Sequence, residues 1–260
     1  DPLLQRCGRE LQQMHRCRAL LLCTMMTSSL GYSIPPPLSS RPPATVGQKL
    51  HDIDSPALVV RNKALEHNLA KVHQLVKDGG SKVVVRPHGK AHKSVLLAAK
   101  QVESGCVGVC AAKLGEAASF LEGGIKDVLL TNQLVGQPKA DRLAELAAKH
   151  PEAKLAVCVD SFEGVDELSA AARSKGVHLN VLVEVNVGQD RGGVECDKAV
   201  PLVRHVASKA PHLVFGGVQG YMGLNQHIRA RSDRAAASRV VADKLRGVVG
   251  AIEGEGIECP

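Results

Sequence analysis

The residues whose types and spacing point to chemistry lie in Val83-Val84-Val85-Arg86-Pro87-His88-Gly89-Lys90-Ala91-His92-Lys93. The stretch begins as an apolar, β-branched run and ends in cations. Val83 to Val85 read as a fully buried strand. Alternate residues of an extended chain share a face, so extension past Pro87 would align Arg86, His88, Lys90 and His92. Cations beyond the carboxyl end of a buried strand make a poor core element and a good anion site. Lys90, in their midst, is a candidate amine nucleophile. Neighbouring positive charge and partial burial both disfavour an ammonium and favour the free amine that an imine-forming lysine needs. The structural alternative is a strand end that fans its charges into solvent. His88 and His92 could also suggest a metal, but no third histidine or acidic ligand stands near them, and two histidines do not make a site.

A lysine of this kind needs a scaffold, and periodicity predicts one. Short apolar runs at 57–60, 83–85, 107–112, 128–131, 155–159, 179–187 and 215–222 read as strands. Between them, helical patterns cover 65–76, 93–103, 115–122, 138–150, 162–175 and 197–208, and a last one covers 232–252. Gly79-Gly80 and Gly123-Gly124 stop two of the helices, and Pro138 starts another. Seven strands alternating with helices at intervals of about 20 to 35 residues are the pattern of βα units in a parallel sheet. The fold class expected is an α/β (β/α)8 TIM-type barrel, incomplete at about seven units. No G-x-G-x-x-G or G-x-x-x-x-G-K-[ST] fingerprint follows any strand, which weakens the dinucleotide and P-loop readings.

Barrel sites lie at the carboxyl ends of strands, and those ends are polar here one after another. Thr131-Asn132-Gln133 ends one strand and Asp160-Ser161 the next. In Val181-Leu182-Val183-Glu184-Val185-Asn186-Val187 the valines alternate with Leu182, Glu184 and Asn186. Valines facing the helices would put Glu184 and Asn186 inside the barrel. Arg191 follows shortly after, and Gln219 and Tyr221 share a face of the last strand. An imine-forming lysine, an inward arginine and tyrosine, and a basic mouth suit an aldehyde cofactor that carries a phosphate, which pyridoxal phosphate is. The runner-up from the chemistry alone is a class I aldolase, whose lysine attacks a sugar phosphate directly.

Composition narrows the field further. The 260 residues are enough for one large domain of barrel size. Aromatics are 2% with no Trp, so the core must be Val, Leu, Ala and Ile, and stacking platforms for single-stranded nucleic acid are lacking. The net charge of +7 is uneven: residues 1–49 hold six Lys/Arg against two acids, and the remainder 27 against 24. The folded part is therefore only mildly basic, and neither a nucleic-acid partner nor a membrane is expected. The apolar run Ala19-Leu20-Leu21-Leu22 is too short to span a bilayer. Eight Cys without a C-x-x-C pair suggest a reducing compartment, with Cys110 and Cys158 as small core hydrophobes. Residues 1–49, Arg-rich, Pro- and Ser-containing and poor in acids, read as a disordered or targeting segment ahead of a domain over 50–260. As a transit peptide it would direct the protein to a mitochondrion or plastid; otherwise the protein is cytoplasmic. Met14, Met25 or Met26 could each be a real start.

Three sets of residues carry a family resemblance. Arg86-Pro87-His88-Gly89-Lys90-Ala91-His92-Lys93 is the strongest. Gly108-Val109-Cys110-Ala111-Ala112-Lys113-Leu114-Gly115-Glu116-Ala117 with Leu130-Thr131-Asn132-Gln133 is the second. The third is Val183-Glu184-Val185-Asn186-Val187-Gly188-Gln189-Asp190-Arg191-Gly192-Gly193-Val194 with Gln219-Gly220-Tyr221-Met222-Gly223. Over about 52–260 the chain resembles the D-threonine aldolase and D-serine dehydratase family, whose barrel is similar to that of alanine racemase. The resemblance implies Lys90 as the imine lysine, Arg191 beside the pyridine nitrogen, and Tyr221 beside the imine and ring hydroxyl. His88 and Gln219 join these three as expected cofactor-binding residues, and Lys90 and Tyr221 are the expected catalytic pair.

The resemblance also implies a divalent metal, manganese or magnesium in an aldolase and zinc in a dehydratase, with ligands outside this chain. A D-amino acid is the implied substrate and a homodimer the implied full-length assembly. Val183-Glu184-Val185-Asn186 is closer to the aldolase version, so D-threonine cleavage to glycine and acetaldehyde is the expected reaction. Dehydration of D-serine or D-threo-3-hydroxyaspartate is the alternative, and a non-catalytic pyridoxal phosphate homeostasis protein is a second one. The family's eighth strand, glycine-rich phosphate loop and C-terminal β-domain would lie past Pro260, so a chain with two open strand edges, prone to aggregate, is expected.

Overall fold

The computed structural model describes residues 44–80 and 82–260. The segment expected to be disordered or targeting lies, up to residue 43, outside the described residues. The chain divides between Val60 and Arg61 into two units. In the first, residues 44–60 hold one 3-10 turn, Leu50–Asp52, and no strand. The strand expected at 57–60 is not formed. Leu58, Val59 and Val60 are exposed, and four apolar residues without a ladder to join do not make a strand.

The second unit alternates strands and helices: α1 (Asn62–Asp78), α2 (Val95–Glu103), β1 (Val109–Ala111), α3 (Leu114–Glu122), β2 (Asp127–Leu130), α4 (Gln137–Lys149), β3 (Lys154–Val159), α5 (Phe162–Lys175), β4 (Leu179–Glu184), α6 (Ala199–Ala207), β5 (Leu213–Gln219) and α7 (Arg231–Gly254). The five strands form one parallel sheet in the order β1-β2-β3-β4-β5. Sequence order as spatial order, with a helix at each crossover, is the barrel arrangement, so the expected fold class holds. Helix boundaries follow local chemistry. Ser94 and Ser161 accept hydrogen bonds from the backbone of Leu97 and Gly164 and cap α2 and α5. Gly176, at φ 64°, closes α5 in the left-handed conformation.

Among the described residues five strands stand where seven were expected. Val83 to Val85 run beside β1, with the Val107 amide donating to the Val85 carbonyl and the Cys110 amide to the Pro87 carbonyl. No continuous ladder forms, and a lone bridge joins His88 to Cys110. Val83 and Val84 are 60% and 63% exposed rather than buried. Three successive valines are apolar enough for a central strand, but burial needs neighbours on both sides. Among the described residues this segment's backbone bonds run to one side only.

Two apolar clusters divide the core by strand parity. The larger lies between sheet and helices and includes Val128, Leu130, Val157, Val181 and Val183 with Phe120, Leu143, Leu168 and Leu202. The smaller is the inner face: Cys110, Leu129, Ala156 and Cys158, with Leu182 packed against it. The register places Cys110 beside Leu129, Leu129 beside Ala156, and Cys158 beside Leu182. The cysteines are thus small inward residues, as expected. Burial pushes the thiols of both up, that of Cys158 furthest.

One irregularity positions the site. Between the pairs Val181–Phe215 and Val183–Val218, β5 carries one more residue than β4. Gly217, at φ 113°, takes the turn that this bulge requires. The extra residue sets Gln219, rather than Val218, opposite Glu184.

Candidate active site

The inner face carries polar residues at two levels. At the amino-terminal level Arg86 and Asp127 form a two-pronged ion pair, Nη1 to Oδ1 at 2.5 Å and Nη2 to Oδ2 at 3.1 Å. The pair fits because residue 108 is glycine. A Cβ there would stand 2.3 Å from the Asp127 carbonyl and 2.7 Å from the Arg86 guanidinium. Arg86 lines the cleft, as expected, but its charge is paired with a carboxylate. The signal for that partner was an aspartate of inward parity at the start of a strand.

At the carboxyl level a cleft of about 340 Å³ opens, and Lys90, His88, Arg191, Gln219 and Tyr221 all line it. Arg86, Thr131 and Asn132 complete its polar wall and Cys110 its floor, and among the described residues no carboxylate lines it. His92 does not reach it. Extension ends at Gly89–Ala91, which form a 3-10 turn. The turn sends the His92 ring to the Gln101 side chain, 3.2 Å away, and to the edge of Phe120. The one-face alignment of Arg86 through His92 therefore holds only for its first three members. Gly89 is buried where a Cβ would lie 2.3 Å from the Phe120 ring, so glycine is what lets the turn seat against the core.

Lys90 is exposed, against the expectation of partial burial. The turn that presents it projects from the strand end rather than continuing into the sheet. Its ammonium stands 5.9 Å from the centroid of the Tyr221 ring, and the Arg191 guanidinium carbon stands 4.4 Å from the same centroid. Tyr221 thus has a cation near its ring from each of two loops. The Tyr221 hydroxyl folds back over Gly223, where a Cβ would lie 2.3 Å from it.

His88 is fixed by its neighbours. Its Nδ1 accepts from the Lys90 backbone amide at 3.2 Å, which leaves Nε2 to carry the proton of a neutral ring and donate to the Thr131 hydroxyl, 3.2 Å away. Thr131 in turn donates to the Ala111 carbonyl. Burial, then the charge of Lys90, hold His88 below the usual histidine range, so the neutral ring is the form that belongs here.

Glu184 lies beneath the cleft. It is 3% exposed and its Oε2 accepts from the Gln133 amide at 2.7 Å. Burial raises its carboxyl above the usual range, against the pull of Gln133, Arg191 and Gln219. Asn186 does not join it inside. β4 ends at Glu184, and Asn186 instead ties down the following loop. Its Oδ1 accepts from the amides of Gly188 and Asp190, and its side-chain amide donates to Asp190 and Glu195. Among the described residues no group of three or more metal-ligating side chains comes together, and none is assigned to a metal.

The site is thus a parallel β/α sheet of barrel order with a lysine, an arginine and a tyrosine converging at its carboxyl end. The chain belongs to the alanine racemase N-terminal domain family, whose model matches residues 60–260. It is 39% identical over 216 residues to 3-hydroxy-D-aspartate aldolase of Paracoccus denitrificans (strain Pd 1222), covering 83% of this chain and 55% of that one. The structure of D-threonine aldolase from Filomicrobium marinum superposes with a TM-score of 0.75 at 39% identity, covering 81% of this chain and 55% of that one. D-threo-3-hydroxyaspartate dehydratase from Delftia sp. HT23 gives 0.72 at 25% identity, covering 80% and 54%. The chain thus spans about half the length of the relatives it matches.

Proposed function

We propose that this chain is the cofactor-binding barrel of a pyridoxal phosphate-dependent lyase that cleaves D-β-hydroxy-α-amino acids such as D-threonine to glycine and an aldehyde. The observation that carries the reading is the convergence of Lys90, Arg191 and Tyr221 on one cleft free of lining carboxylates. The donor set fits the cofactor: an amine for its aldehyde, and a cation and hydroxyl, amide and imidazole groups for an anionic heteroaromatic ring.

Lys90 would hold the cofactor covalently. Arg191, always protonated, would keep a positive charge beside the ring nitrogen, and Tyr221 would stand against the reacting carbon with its hydroxyl available to hold or move a proton. His88, locked neutral through Thr131, would offer an uncharged edge that neither repels the lysine nor competes for an anion. When bound, pyridoxal phosphate supplies the electron sink that lets a Cα–Cβ bond break. A base on the protein takes the β-hydroxyl proton, and Cα of the glycine product is reprotonated. A divalent metal is expected to assist at the β-hydroxyl, and the full-length protein is expected to be a homodimer.

The relatives at 39% identity are aldolases, and the dehydratase stands at 25%, which favours carbon–carbon cleavage. Product analysis of the cofactor- and manganese-loaded full-length protein with D-threonine tests this. Equal amounts of glycine and acetaldehyde are expected. Ammonia with a 2-oxo acid would make it a dehydratase, and cofactor binding without either product would make it a non-catalytic binding protein.

A further inference from the structure

Among the described residues Glu184 is the buried charged residue of the core, and nothing in the proposed chemistry uses it. It touches no ligand space, since the cleft is lined by the residues above it. What surrounds it is specific. The Gln133 amide, from the end of β2, donates to its Oε2 at 2.7 Å. Gln219 is its register partner on β5 through the bulge, and the Val185 amide donates to the Gln219 carbonyl at 2.7 Å. Arg191 lies close enough for its charge to favour the carboxylate, while Asp160 at the end of β3 opposes it. Cys158, on the inner face of β3, is the remaining titratable neighbour. Asp160 is itself occupied, since its Oδ2 accepts from the Gly193 amide at 3.0 Å.

An ionised carboxylate is an acceptor only. Amides beside it turn their NH2 groups toward it, and each then has its oxygen as the atom to offer elsewhere. Gln219 lines the cleft; with its NH2 toward Glu184, its oxygen would be the part presented to a ligand. Arg191 stacks on Tyr221 and feels the carboxylate only at a distance.

We propose that Glu184 is a positioning residue: its carboxylate sets the amide orientations of Gln133 and Gln219, so that the cleft offers its ligand one fixed pattern of donor and acceptor. A buried carboxylate costs stability, and here that cost goes into order at the cleft. For its ligand this proposal rests on the pyridoxal phosphate reading; its structural half does not.

The test has two arms. In the first, nitrogen-15 spectra of the glutamine side chains are followed against pH in the cofactor-free chain, with Gln133 and Gln219 assigned by single substitution. Both amide pairs should move together with a midpoint above the usual glutamate range, and the movement should vanish in Glu184→Gln. In the second, pyridoxal phosphate is titrated by absorbance into the unsubstituted protein, Glu184→Gln and Glu184→Asp. Affinity should rise with pH across the same midpoint. It should be about tenfold weaker and without that step in Glu184→Gln, one charge-assisted hydrogen bond's worth, and the step should return in Glu184→Asp. A structural role alone would not move the pH profile. Amides indifferent to pH, or a Glu184→Gln protein that binds with unchanged affinity and pH profile, would overturn the proposal. Failure of the unsubstituted chain to take up pyridoxal phosphate at Lys90 would instead overturn the functional reading, and the first arm would still decide the positioning role.

Discussion

The Arg191 guanidinium carbon lies 4.4 Å from the centroid of the Tyr221 ring, two residues from loops that follow different strands. Both side chains are exposed, so the contact contributes only about 0.5–1 kcal/mol to folding. Its value lies in holding a permanent charge at the cleft. Arg191→Ala is therefore expected to leave urea unfolding changed by no more than about 1 kcal/mol while weakening pyridoxal phosphate binding about tenfold or more. Equal losses in both would mean that Arg191 supports the fold rather than the ligand.

Gly223→Ala is expected to act on Tyr221 without touching the core. The new Cβ would meet the Tyr221 hydroxyl at 2.3 Å and the ring carbon bearing it at 2.7 Å, and the exposed ring can swing away. Thermal unfolding should be nearly unchanged, and reaction of Lys90 with pyridoxal phosphate, followed by absorbance, should slow. Unchanged kinetics would place Tyr221 outside the working site.

Gly89→Ala is a different case, because its neighbour cannot yield. The Cβ would stand 2.3 Å and 2.5 Å from two atoms of the Phe120 ring, which is 2% exposed and packed in the main core. Overpacking of this kind costs about 1–3 kcal/mol, and the turn that carries Lys90 must shift. Loss of stability together with loss of cofactor uptake is expected, measured by urea unfolding and absorbance. A variant as stable as the parent would show that the turn is not seated on Phe120.

A half-buried histidine and a buried glutamate oppose each other in their pH dependence. His88 is held below 6.5, first by burial and then by Lys90. The unfolded chain takes up its proton first on acidification, so the stability His88 contributes is present above 6.5 and lost as pH falls through its lower folded value. Glu184 is raised above 4.5, chiefly by burial. Its contribution is fully present below 4.5 and lost as pH rises through the folded value. Glu184→Gln should therefore be at least as stable as the parent at neutral pH. His88→Asn should lose less stability than the parent between about pH 7.5 and about pH 5.5. Urea unfolding at both pH values checks this, and identical acid losses would contradict the neutral-histidine arrangement.

Much of this arrangement was legible in the sequence because alternation in parallel strands is a strict signal. The valines of β4 gave away the helix-facing side, and Glu184 followed as inward. Gln219 and Tyr221 fell together for the same reason. Local geometry beyond the strand ends was not legible. Extrapolated extension put His92 in the site, whereas the Gly89–Ala91 turn removes it. Parity carried past Glu184 put Asn186 inside, whereas the strand stops and the loop captures it. The Arg86–Asp127 pair joins residues 41 apart through a gap that Gly108 leaves open; the parity of Asp127 reports the face it points to, not the partner it meets. The two amino-terminal strands were overread because an apolar run reports what a segment could bury, not whether neighbours are there to cover it.

The central claim is that Lys90 is the residue that bonds the cofactor, and reductive fixation tests it most directly. Pyridoxal phosphate is added to the protein, the adduct is reduced with borohydride, and the modified lysine is located by peptide mass spectrometry. The account predicts one stoichiometric label on Lys90, lost in Lys90→Ala without transfer to another lysine. A label on Lys93 or Lys113, or one spread over surface lysines in proportion to their exposure, would contradict it.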